Sequence, residues 1–324
     1  MNKNITSLGI GLTNRCNLNC PHCYSRPYQQ LDLRIKDVYK ILKDFPNLKK
    51  VNFGTGESIL NPNFSKIVRL FKEKNIELAL TSNGLSVAIL DDATLSLFKE
   101  IDISLDFPKA DLHDKWRGQE GTFAQAISSI EKCKKLNIPV SIAVALMNIN
   151  YKYLPEFREI LDKYQVYLRI NIYKPVHNKK FLLSYKEFWQ AIKLLADNFE
   201  LVNNSEPVLT IITGNKLKGS PCGNSARVHP NMKITGCVYL DSSKISFNKF
   251  KQLKKIVPDF CKICKFVSSC KGGCLGRRIL LNKIKDPDSY CPFVQAKSLP
   301  KIKFRKSKDR EFIHSQYLCT IILR

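Results

Sequence analysis

The sequence predicts an α/β protein in which a partial (β/α)6 barrel of the TIM type is followed by a small cysteine-rich domain. Short apolar runs alternate with longer amphipathic runs across residues 8–200 of the 324. The alternation repeats about every 33 residues, which is typical of parallel strands joined by right-handed crossovers. The pattern ends after Asn203, and residues 205–295 are rich in Cys, Gly and Pro instead. A domain of that composition has little apolar core and is commonly held together by metal.

Six β/α units account for the first part of the chain. The predicted strands are 8–13, 50–53, 76–81, 101–105, 140–146 and 167–173. The predicted helices are 32–45, 64–74, 85–99, 123–136, 153–164 and 185–199. A full eight-unit barrel usually needs about 250 residues, so six units indicate an open partial barrel. The pattern alone also fits a doubly wound sheet.

We therefore expect three regions, a barrel over 1–204, a cysteine-rich domain over 205–295 and a basic segment over 296–324. In the last segment eight Lys and Arg residues stand against Asp309 and Glu311, and we interpret it as a tail or a peripheral strand.

Composition limits the class of protein. Neither a secretory signal nor an apolar run of the roughly 18 residues that a membrane span needs is visible, so we expect a cytoplasmic protein with no membrane partner. The formal net charge is +25, from 53 Lys and Arg against 28 Asp and Glu. Between residues 249 and 285 the basic residues are interleaved with cysteines, which does not favour nucleic acid as the partner. An acidic peptide and a merely solvated basic surface both remain open.

The first chemical motif is a group of three cysteines directly after the first predicted strand. Cys16, Cys20 and Cys23 have C-x3-C-x2-C spacing, on a loop that lies at the carboxyl end of a parallel strand. Three thiolates can hold three corners of an iron–sulfur cluster and leave one iron open, as catalytic metal sites do. A zinc knuckle with a distant fourth ligand and three structural thiols are the alternatives.

Three further motifs follow the next predicted strands. Residues 53–58 read Phe-Gly-Thr-Gly-Glu-Ser, and small residues there let a backbone edge approach a ligand. Residues 81–84 read Thr-Ser-Asn-Gly, and residues 104–108 read Ser-Leu-Asp-Phe-Pro. His113, Arg117 and a Gly-Thr-Phe at 121–123 come next. A turn-capping role for Asp106 and a surface ion pair for Arg117 are the simpler alternatives.

The second cysteine group contains seven residues. They are Cys222, Cys237, Cys261, Cys264, Cys270, Cys274 and Cys291. A zinc ribbon that uses 261, 264, 270 and 274 would leave the other three unexplained. Two of the twelve cysteines lie outside both groups: we interpret Cys133 as a buried reduced thiol and Cys319 as an incidental thiol of the tail.

Together these motifs resemble those of radical S-adenosylmethionine enzymes with a C-terminal SPASM domain, over about residues 7–295. In that family a 4Fe–4S cluster and S-adenosylmethionine generate a 5′-deoxyadenosyl radical that abstracts a hydrogen atom. The resemblance implies that Cys16, Cys20 and Cys23 bind this cluster. It implies cofactor contacts from His22, Gly54, Thr55, Gly56, Glu57, Ser82, Asn83, Ser104 and Arg117. It makes Asp106 a candidate base that faces the substrate, and it makes Arg117 a candidate catalytic residue as well as a cofactor contact. The sequence departs from the family at Thr55, Ser58, Phe107 and Met232, where glycine, proline, glycine and glycine are usual.

The SPASM resemblance implies two auxiliary 4Fe–4S clusters, and therefore three clusters in all. The inner one would use Cys222, Cys237 and Cys274. The outer one would use Cys261, Cys264, Cys270 and Cys291. Some relatives have another cysteine shortly before the position of Cys222, but residues 209–221 contain none. We therefore expect the inner cluster to have an open iron, or a ligand from the substrate or from a residue other than cysteine.

Residues 8–13, 22–27, 54–57 and 104–108 further resemble maturases of Nif11-type leader peptides, a subgroup that includes spliceases. The resemblance implies maturation of a ribosomally made precursor peptide, with excision of tyramine at a Tyr-Gly site to leave an α-keto-β-amino acid. Other radical modifications are the alternatives: a thioether or carbon–carbon cross-link, epimerisation, or oxidation of a small molecule or protein side chain. A non-enzymatic iron–sulfur electron carrier and a metal-dependent nucleic-acid binder are the alternatives of a different class.

The same resemblance implies three partners. They are a precursor peptide, an electron donor of the flavodoxin or ferredoxin type, and a separate protein that recognises the leader. The last is expected because the cluster loop begins by residue 16, which leaves little chain before it for a recognition domain.

Overall fold

An eleven-stranded sheet forms the frame of the protein. The computed structural model describes residues 4–25, 30–213, 222, 225–241, 243–295, 298–308 and 319–324. The strands are β1 (Ser7–Ile10), β2 (Lys50–Phe53), β3 (Glu77–Ser82), β4 (Glu100–Ser104), β5 (Val140–Leu146), β6 (Tyr167–Ile172), β7 (Glu200–Asn204), β8 (Ser225–Val228), β9 (Ile234–Thr235), β10 (Arg305–Lys306) and β11 (Thr320–Leu323). Across the sheet the order is β10-β7-β11-β6-β5-β4-β3-β2-β1-β8-β9.

Helices connect the strands and cover the sheet. The α-helices are α1 (Ile35–Asp44), α2 (Phe64–Glu73), α3 (Leu85–Ile89), α4 (Asp92–Leu95), α5 (Ala110–Arg117), α6 (Thr122–Lys135), α7 (Phe157–Tyr164), α8 (Tyr185–Asn198), α9 (Thr210–Thr213), α10 (Phe247–Leu253), α11 (Asp259–Lys262), α12 (Val267–Cys270), α13 (Leu275–Leu280) and α14 (Pro292–Gln295). Short 3-10 turns lie at Ser58–Leu60, Tyr151–Glu156 and Pro207–Leu209.

Strands β1 to β6 are parallel neighbours, and this confirms the predicted α/β class and the open partial barrel. Leu8 of β1 is in register with Val51 of β2, which is in register with Leu78 of β3, and all three are buried. Strands buried on both faces read as nearly continuous apolar runs, as these do. Since the strands are parallel, the loops after β1, β2, β3 and β4 meet at one edge of the sheet.

Two predicted helices are divided in the structure. The helix predicted over 85–99 is two short helices. Leu90 is extended and ends α3, and Asp91 caps α4 by accepting a hydrogen bond from the Thr94 N–H at 2.7 Å. The helix predicted over 153–164 begins as the 3-10 turn that contains Pro155, and α7 starts only at Phe157. Proline lacks the N–H that the interior of a helix needs.

The end of the chain differs most from the prediction. Residues 320–323 are neither a tail nor a peripheral strand, because β11 inserts antiparallel between β6 and β7 with all four residues buried. Cys319, directly before this strand, is described as well. Asp309 and Glu311 of the expected basic segment belong to residues 309–318, which lie outside the described residues.

At the other edge of the sheet, the cysteine-rich part of the chain contributes β8, which pairs in parallel with β1. The turn from β8 to β9 contains Met232, whose φ of 63° lies in the left-handed region. A glycine adopts that conformation without strain, which gives a physical reason for the glycine usual at this position. Among the described residues, no helix combines the length and apolarity needed to cross a membrane.

Candidate active site

The loop that carries Cys16, Cys20 and Cys23 is anchored at the carboxyl edge of the sheet. The backbone carbonyl of Arg15 accepts a hydrogen bond from the N–H of Glu57 at 2.8 Å, which joins this loop to the one after β2. The Arg15 guanidinium pairs with Asp32 at 2.8 Å and so holds the far end of the loop. All three cysteines line one cavity of about 210 Å³, and all three are free thiols.

Gly56 and Glu57 fix the loop after β2 against this cysteine loop. Gly56 has a φ of +63°, and a Cβ at that position would overlap the Arg15 carbonyl oxygen. Glu57 is buried and accepts hydrogen bonds from Ser82 Oγ at 2.6 Å, from the Asn83 N–H at 2.9 Å and from Ser86. Burial raises the pKa of Glu57 above its ordinary value, although these donors act in the opposite direction. Glu57 thereby ties the loops after β1, β2 and β3 together.

The loop after β3 reaches the first cysteine. Asn83 donates from Nδ2 to Asn17 Oδ1 at 2.9 Å and lies 3.7 Å from Cys16 Sγ. Gly54, Ser82, Asn83 and Ser104 line the cavity beside the three cysteines. The predicted contact residues that follow β2, β3 and β4 are thus brought together around one space. Thr55 is buried behind the cavity wall, where its Cβ closely approaches Gly11.

Asp106 and Arg117 form a buried ion pair beside the cysteine loop. Arg117 Nη2 lies 2.8 Å from Asp106 Oδ2, and Arg117 Nη1 donates to Cys20 Sγ at 3.6 Å. Asp106 also accepts from the Trp116 indole N–H at 3.1 Å and from the Ala145 N–H at 2.9 Å. Burial is the largest single influence and would raise the pKa of Asp106, but Arg117, the two nearby histidines and the Ala145 N–H together outweigh it, and the pKa lies below the ordinary value.

This geometry corrects two predictions. Asp106 is only 1% exposed and its two oxygens are occupied by donors, so it is a poor base toward a substrate. Arg117 is buried as well, so it is not a surface ion-pair residue. Both residues are better placed to position the cysteine loop, since the guanidinium joins Asp106 to Cys20.

His22 stacks on Trp116, with ring centroids 5.3 Å apart and planes inclined by 13°. Burial lowers the pKa of His22 to about 4, so the ring is neutral at pH 7 beside Asp106. Its buried Nδ1, like the buried Nε of Arg117, has no hydrogen-bond partner within the part of the chain that the structure describes. Both side chains line the cavity, so a polar ligand bound there would lie beside two groups whose buried atoms lack a partner among the described residues.

Sequence reasoning missed a second part of the cavity lining. Tyr173 and Lys174 follow β6, and Arg227 and Tyr239 come from the cysteine-rich part of the chain. The Lys174 ammonium lies 5.2 Å from the centre of the Tyr239 ring, and the Tyr24 hydroxyl donates to the Gly54 carbonyl at 2.7 Å. Position after a parallel strand was a usable signal for Tyr173 and Lys174. For Arg227 and Tyr239 the sequence offered none.

Four cysteines of the second group surround a separate small cavity. This cavity of about 20 Å³ is lined by Cys261, Cys264, Cys270 and Cys291. The structure therefore brings together the four thiols predicted for the outer set. The backbone N–H of Cys291 donates to the Asp288 carbonyl at 2.9 Å, which fixes the last of the four against the others.

Cysteines of the inner set lie near one another. A Cβ at Gly276 would be 3.0 Å from Cys237 Sγ and 3.9 Å from Cys274 Sγ, so these two thiols flank the same backbone position. The thiols of Cys222 and Cys274 each hydrogen-bond to that of Cys319. The interpretation of Cys319 as an incidental tail thiol is therefore wrong. Cys133 is a buried free thiol of α6, as predicted.

The described residues contain no three His, Cys, Asp or Glu side chains arranged around a single metal ion. Around the two cavities the thiols are instead spread over the lining, as ligands bound to different irons of one cluster are. The three thiols of the cysteine loop and the unpaired polar atoms beside them fit a 4Fe–4S cluster with one open iron and a polar organic ligand.

The part of the chain that carries this site is similar to a known family. Residues 10–162 match the radical SAM superfamily. A probable GTP 3′,8-cyclase of Pyrococcus abyssi is 27% identical over 209 residues, which cover 61% of this chain and 66% of that protein, just under two thirds of its length. The mycofactocin maturase MftC of Mycobacterium ulcerans is 25% identical over 323 residues, which cover 86% of each chain.

A solved structure shares the fold over nearly the whole chain. The structure of anSMEcpe with bound S-adenosylmethionine and the Cp18Cys peptide superposes with a TM-score of 0.68 at 18% identity. The superposition covers 90% of this chain and 95% of anSMEcpe. The family match spans the cysteine loop, the Gly56–Glu57 turn and the Asp106–Arg117 pair, and it implies a 4Fe–4S cluster and S-adenosylmethionine as cofactors. Over residues 10–162, which carry this site, the chain is similar to enzymes of the radical SAM superfamily.

Proposed function

We propose that this enzyme modifies a ribosomally made precursor peptide by radical hydrogen abstraction. The observation that carries the proposal is the composition of the main cavity. Its lining combines Cys16, Cys20 and Cys23 with Arg227 and Tyr239 from the cysteine-rich region. A substrate in this cavity would lie between the two regions. The maturase MftC, similar over 86% of both chains, and the peptide bound to anSMEcpe support a peptide as the substrate.

Buried cations line the cavity and suit a peptide backbone. Lys174 and Arg227 are each less than 10% exposed. Cations at these positions are complementary to carbonyl and carboxylate oxygens. Tyr173 and Tyr239 add aromatic surface beside them, which can pack against an aromatic or aliphatic side chain.

Each group of residues around the cavity has a role in this proposal. Cys16, Cys20 and Cys23 would hold the 4Fe–4S cluster, and the backbone at Gly54 and Gly56, with Ser82, Asn83, Ser104 and His22, would hold S-adenosylmethionine. When bound and reduced, these cofactors supply a 5′-deoxyadenosyl radical. Glu57 joins the three loops that form this site. Asp106 acts as a positioning residue that orients Arg117 toward Cys20.

We further propose that the cysteine-rich region is a SPASM domain with two auxiliary clusters. The four thiols that line one small cavity support the outer cluster of Cys261, Cys264, Cys270 and Cys291. Cys237 and Cys274, which flank Gly276, support the inner one. The inner thiols lie behind the wall formed by Lys174 and Tyr239, where a cluster could accept an electron from a substrate radical.

The specific reaction we propose is excision of tyramine from a Tyr-Gly site, as in spliceases of Nif11-type leader peptides. Its support is the resemblance of residues 8–13, 22–25, 54–57 and 104–108 to that subgroup. Residues 26–27, which share the resemblance, lie outside the described residues. A separate leader-binding protein and an electron donor of the flavodoxin or ferredoxin type complete the proposed system.

A first experiment tests the radical chemistry. Anaerobically reconstituted, reduced protein given S-adenosylmethionine should release 5′-deoxyadenosine, and Cys20→Ala should release none because Cys20 holds the cluster loop. Cys133→Ala is the matched control, since it removes a buried thiol that belongs to α6 alone. Equal release by the Cys20→Ala variant would contradict the assignment of the cysteine loop.

A second experiment tests the substrate. The enzyme is coexpressed with a precursor peptide that contains Tyr-Gly, and the peptide mass is measured. Splicing removes the mass of a tyramine unit with the chain rejoined, a cross-link removes two hydrogen atoms, and epimerisation leaves the mass unchanged. The peptide proposal would be overturned if the peptide stays unmodified and unepimerised while the enzyme still releases 5′-deoxyadenosine with a small molecule.

A further inference from the structure

The inner cysteine set has only three members by sequence spacing. Cys222, Cys237 and Cys274 leave one iron of a 4Fe–4S cluster without a thiolate, and residues 209–221 supply no fourth cysteine. A fourth ligand must therefore come from elsewhere in the chain if the inner cluster is fully ligated by protein.

The last strand carries a cysteine to this place. Because β11 runs antiparallel between β6 and β7, its first residue lies beside their carboxyl ends, with Thr320 in register with Asn171 of β6. Thr320 is fixed on both sides: its N–H donates to Ser205 Oγ at 3.0 Å, and its hydroxyl donates to the Ile170 carbonyl at 3.0 Å. Cys319 precedes it and therefore stands at the same edge of the sheet as the main cavity.

At that edge Cys319 meets two of the three inner cysteines. Its thiol hydrogen-bonds to the thiols of Cys222 and Cys274. Cys274 in turn lies near Cys237, because the thiols of both residues are within 4 Å of a Cβ placed at Gly276. Four free thiols from four separate segments of the chain are thus gathered in one place. Unlike the first three, Cys319 lies outside the spacing pattern of the cysteine-rich region.

The surroundings suit an anionic cluster. Lys174 and Arg277 are buried and lie close enough to influence Cys274 electrostatically. Thiolate-ligated iron clusters carry net negative charge, and buried charge of one sign requires compensation by the other. Arg277 is itself oriented by Glu206 at 2.8 Å and Asp288 at 2.6 Å. Asp288 also accepts from the backbone N–H of Cys274 at 2.8 Å, which holds this thiol in place.

We propose that Cys319 is the fourth cysteine ligand of the inner auxiliary cluster, together with Cys222, Cys237 and Cys274. The inference rests on the auxiliary clusters of the proposed function. It replaces the expectation that this cluster has an open iron. A cluster with a cysteine on every iron cannot bind the substrate directly through a free coordination site, so its role in catalysis is to transfer electrons.

The test uses the full-length chain with Cys16, Cys20 and Cys23 all changed to Ala. These changes remove the first cluster, which would itself have an open iron. After anaerobic reconstitution this parent should bind about eight iron atoms, four for each auxiliary cluster. Mild oxidation should leave both auxiliary clusters intact, with no electron paramagnetic resonance signal of a 3Fe–4S cluster. Adding Cys319→Ala should produce one such signal per chain and the loss of about one iron, because an iron without a thiolate dissociates on oxidation.

Two further variants keep the outcome interpretable. Cys133→Ala in the same parent should give no 3Fe–4S signal. If the Cys319→Ala protein fails to fold, Cys319→Ser retains the size of the side chain and an oxygen ligand, and it should shift the spectrum of one cluster while the iron count stays the same.

The results separate this inference from the proposal on which it rests. A parent that binds only about four iron atoms would exclude two auxiliary clusters. A parent that binds about eight but already gives the 3Fe–4S signal would show an open inner iron and overturn the role of Cys319. Identical behaviour of the parent and of the Cys319→Ala variant would overturn it as well. A disulfide bond of Cys319, detected by mass spectrometry of the unreduced reconstituted protein, would also overturn it.

Discussion

Arg277 and Glu206 form a fully buried ion pair that joins the cysteine-rich region to the segment after β7. Arg277 Nη2 lies 2.8 Å from Glu206 Oε1, and neither side chain is exposed. The same guanidinium contacts Asp288 at 2.6 Å and lies 4.6 Å from the centre of the Tyr290 ring. Tyr290 stacks on Phe188 of α8, with ring centroids 4.1 Å apart. One arginine therefore connects the two regions whose surfaces form the main cavity.

Replacement of this arginine should destabilise the fold strongly. Arg277→Met leaves the carboxylates of Glu206 and Asp288 buried without their cation, and we expect the free energy of unfolding to fall by about 3–5 kcal/mol. Urea denaturation of the reconstituted protein measures it. Lys193→Met, which breaks the exposed pair with Asp197 on α8, is the control and should cost less than about 1 kcal/mol. Similar losses in the two variants would show that burial of the Arg277 pair has no energetic importance.

Gly56 is predicted to be indispensable to the cysteine loop. In Gly56→Ala the new methyl group would overlap the Arg15 carbonyl oxygen, so the loop that carries Cys16, Cys20 and Cys23 must move. We expect loss of most of the iron of the first cluster and of 5′-deoxyadenosine release. The matched control is Gly118→Ala: Gly118 also has a positive φ, +75°, but a Cβ there meets no atom within 4 Å. That variant should incur only backbone strain, about 1 kcal/mol, and keep its iron.

Asp114 links the stability of the barrel to pH. Its carboxylate accepts from the N–H groups of Gly121 and Phe123, each at 2.7 Å, and from the Thr122 hydroxyl at 2.8 Å, which caps the start of α6. Partial burial raises the pKa of Asp114, but these donors outweigh it and the pKa lies below the ordinary value of 3.8. Since the folded-state pKa is the lower one, the stabilisation is complete well above pH 3.8 and is lost as the pH falls through the folded-state value.

Asp114→Ala should therefore lower the free energy of unfolding by about 1–2 kcal/mol at pH 7. The difference from the wild-type protein should shrink as the pH is lowered below about 4, because the wild-type carboxylate becomes protonated. Denaturant titrations between about pH 3 and 7 measure both effects, and Glu120→Ala, a change at an exposed position nearby, serves as the control. A difference that stays constant over this range would contradict the assignment of the effect to the carboxylate charge.

Local patterns predicted the barrel and the position of the cysteine loop. Strands such as Val140–Leu146 are nearly continuous apolar runs, and the spacing of Cys16, Cys20 and Cys23 is short enough to define one loop. The division at Asp91 was not recognised, although an aspartate three residues before Thr94 is an ordinary helix-capping signal.

Features that depend on long-range contacts were not predictable. Nothing local in residues 320–323 indicates insertion between β6 and β7, since pairing with Asn171 and Asn204 joins residues more than a hundred positions apart. The placement of Cys319 follows from that pairing. Likewise Arg227 reaches the cavity only because β8 pairs with β1. Asp106 looked like a free acid in sequence because Arg117, Trp116 and Ala145 become its partners only in the folded chain.

Lys174 lies between the main cavity and the inner cysteine set. It is 2% exposed, donates from Nζ to the Ile172 carbonyl at 2.8 Å and stands over the Tyr239 ring. Its position near Cys274 places a fixed cation beside the proposed inner cluster. A cation stabilises the reduced cluster, which carries one more negative charge than the oxidised cluster. Lys174→Met keeps the apolar stem of the side chain and removes the charge, so we expect the midpoint potential of the inner cluster to become more negative.

Redox titration of protein that lacks Cys16, Cys20 and Cys23, followed by electron paramagnetic resonance, measures this potential without interference from the first cluster. Lys174→Arg retains the charge and should restore most of the wild-type value. Lys265→Met removes an exposed lysine next to Cys264 of the outer set and should leave the inner potential unchanged. A buried charge in contact with a cluster must alter the energy of adding an electron to that cluster. If the midpoint potential of the inner cluster is the same in Lys174→Met and in the parent, this lysine therefore contributes to the main cavity alone.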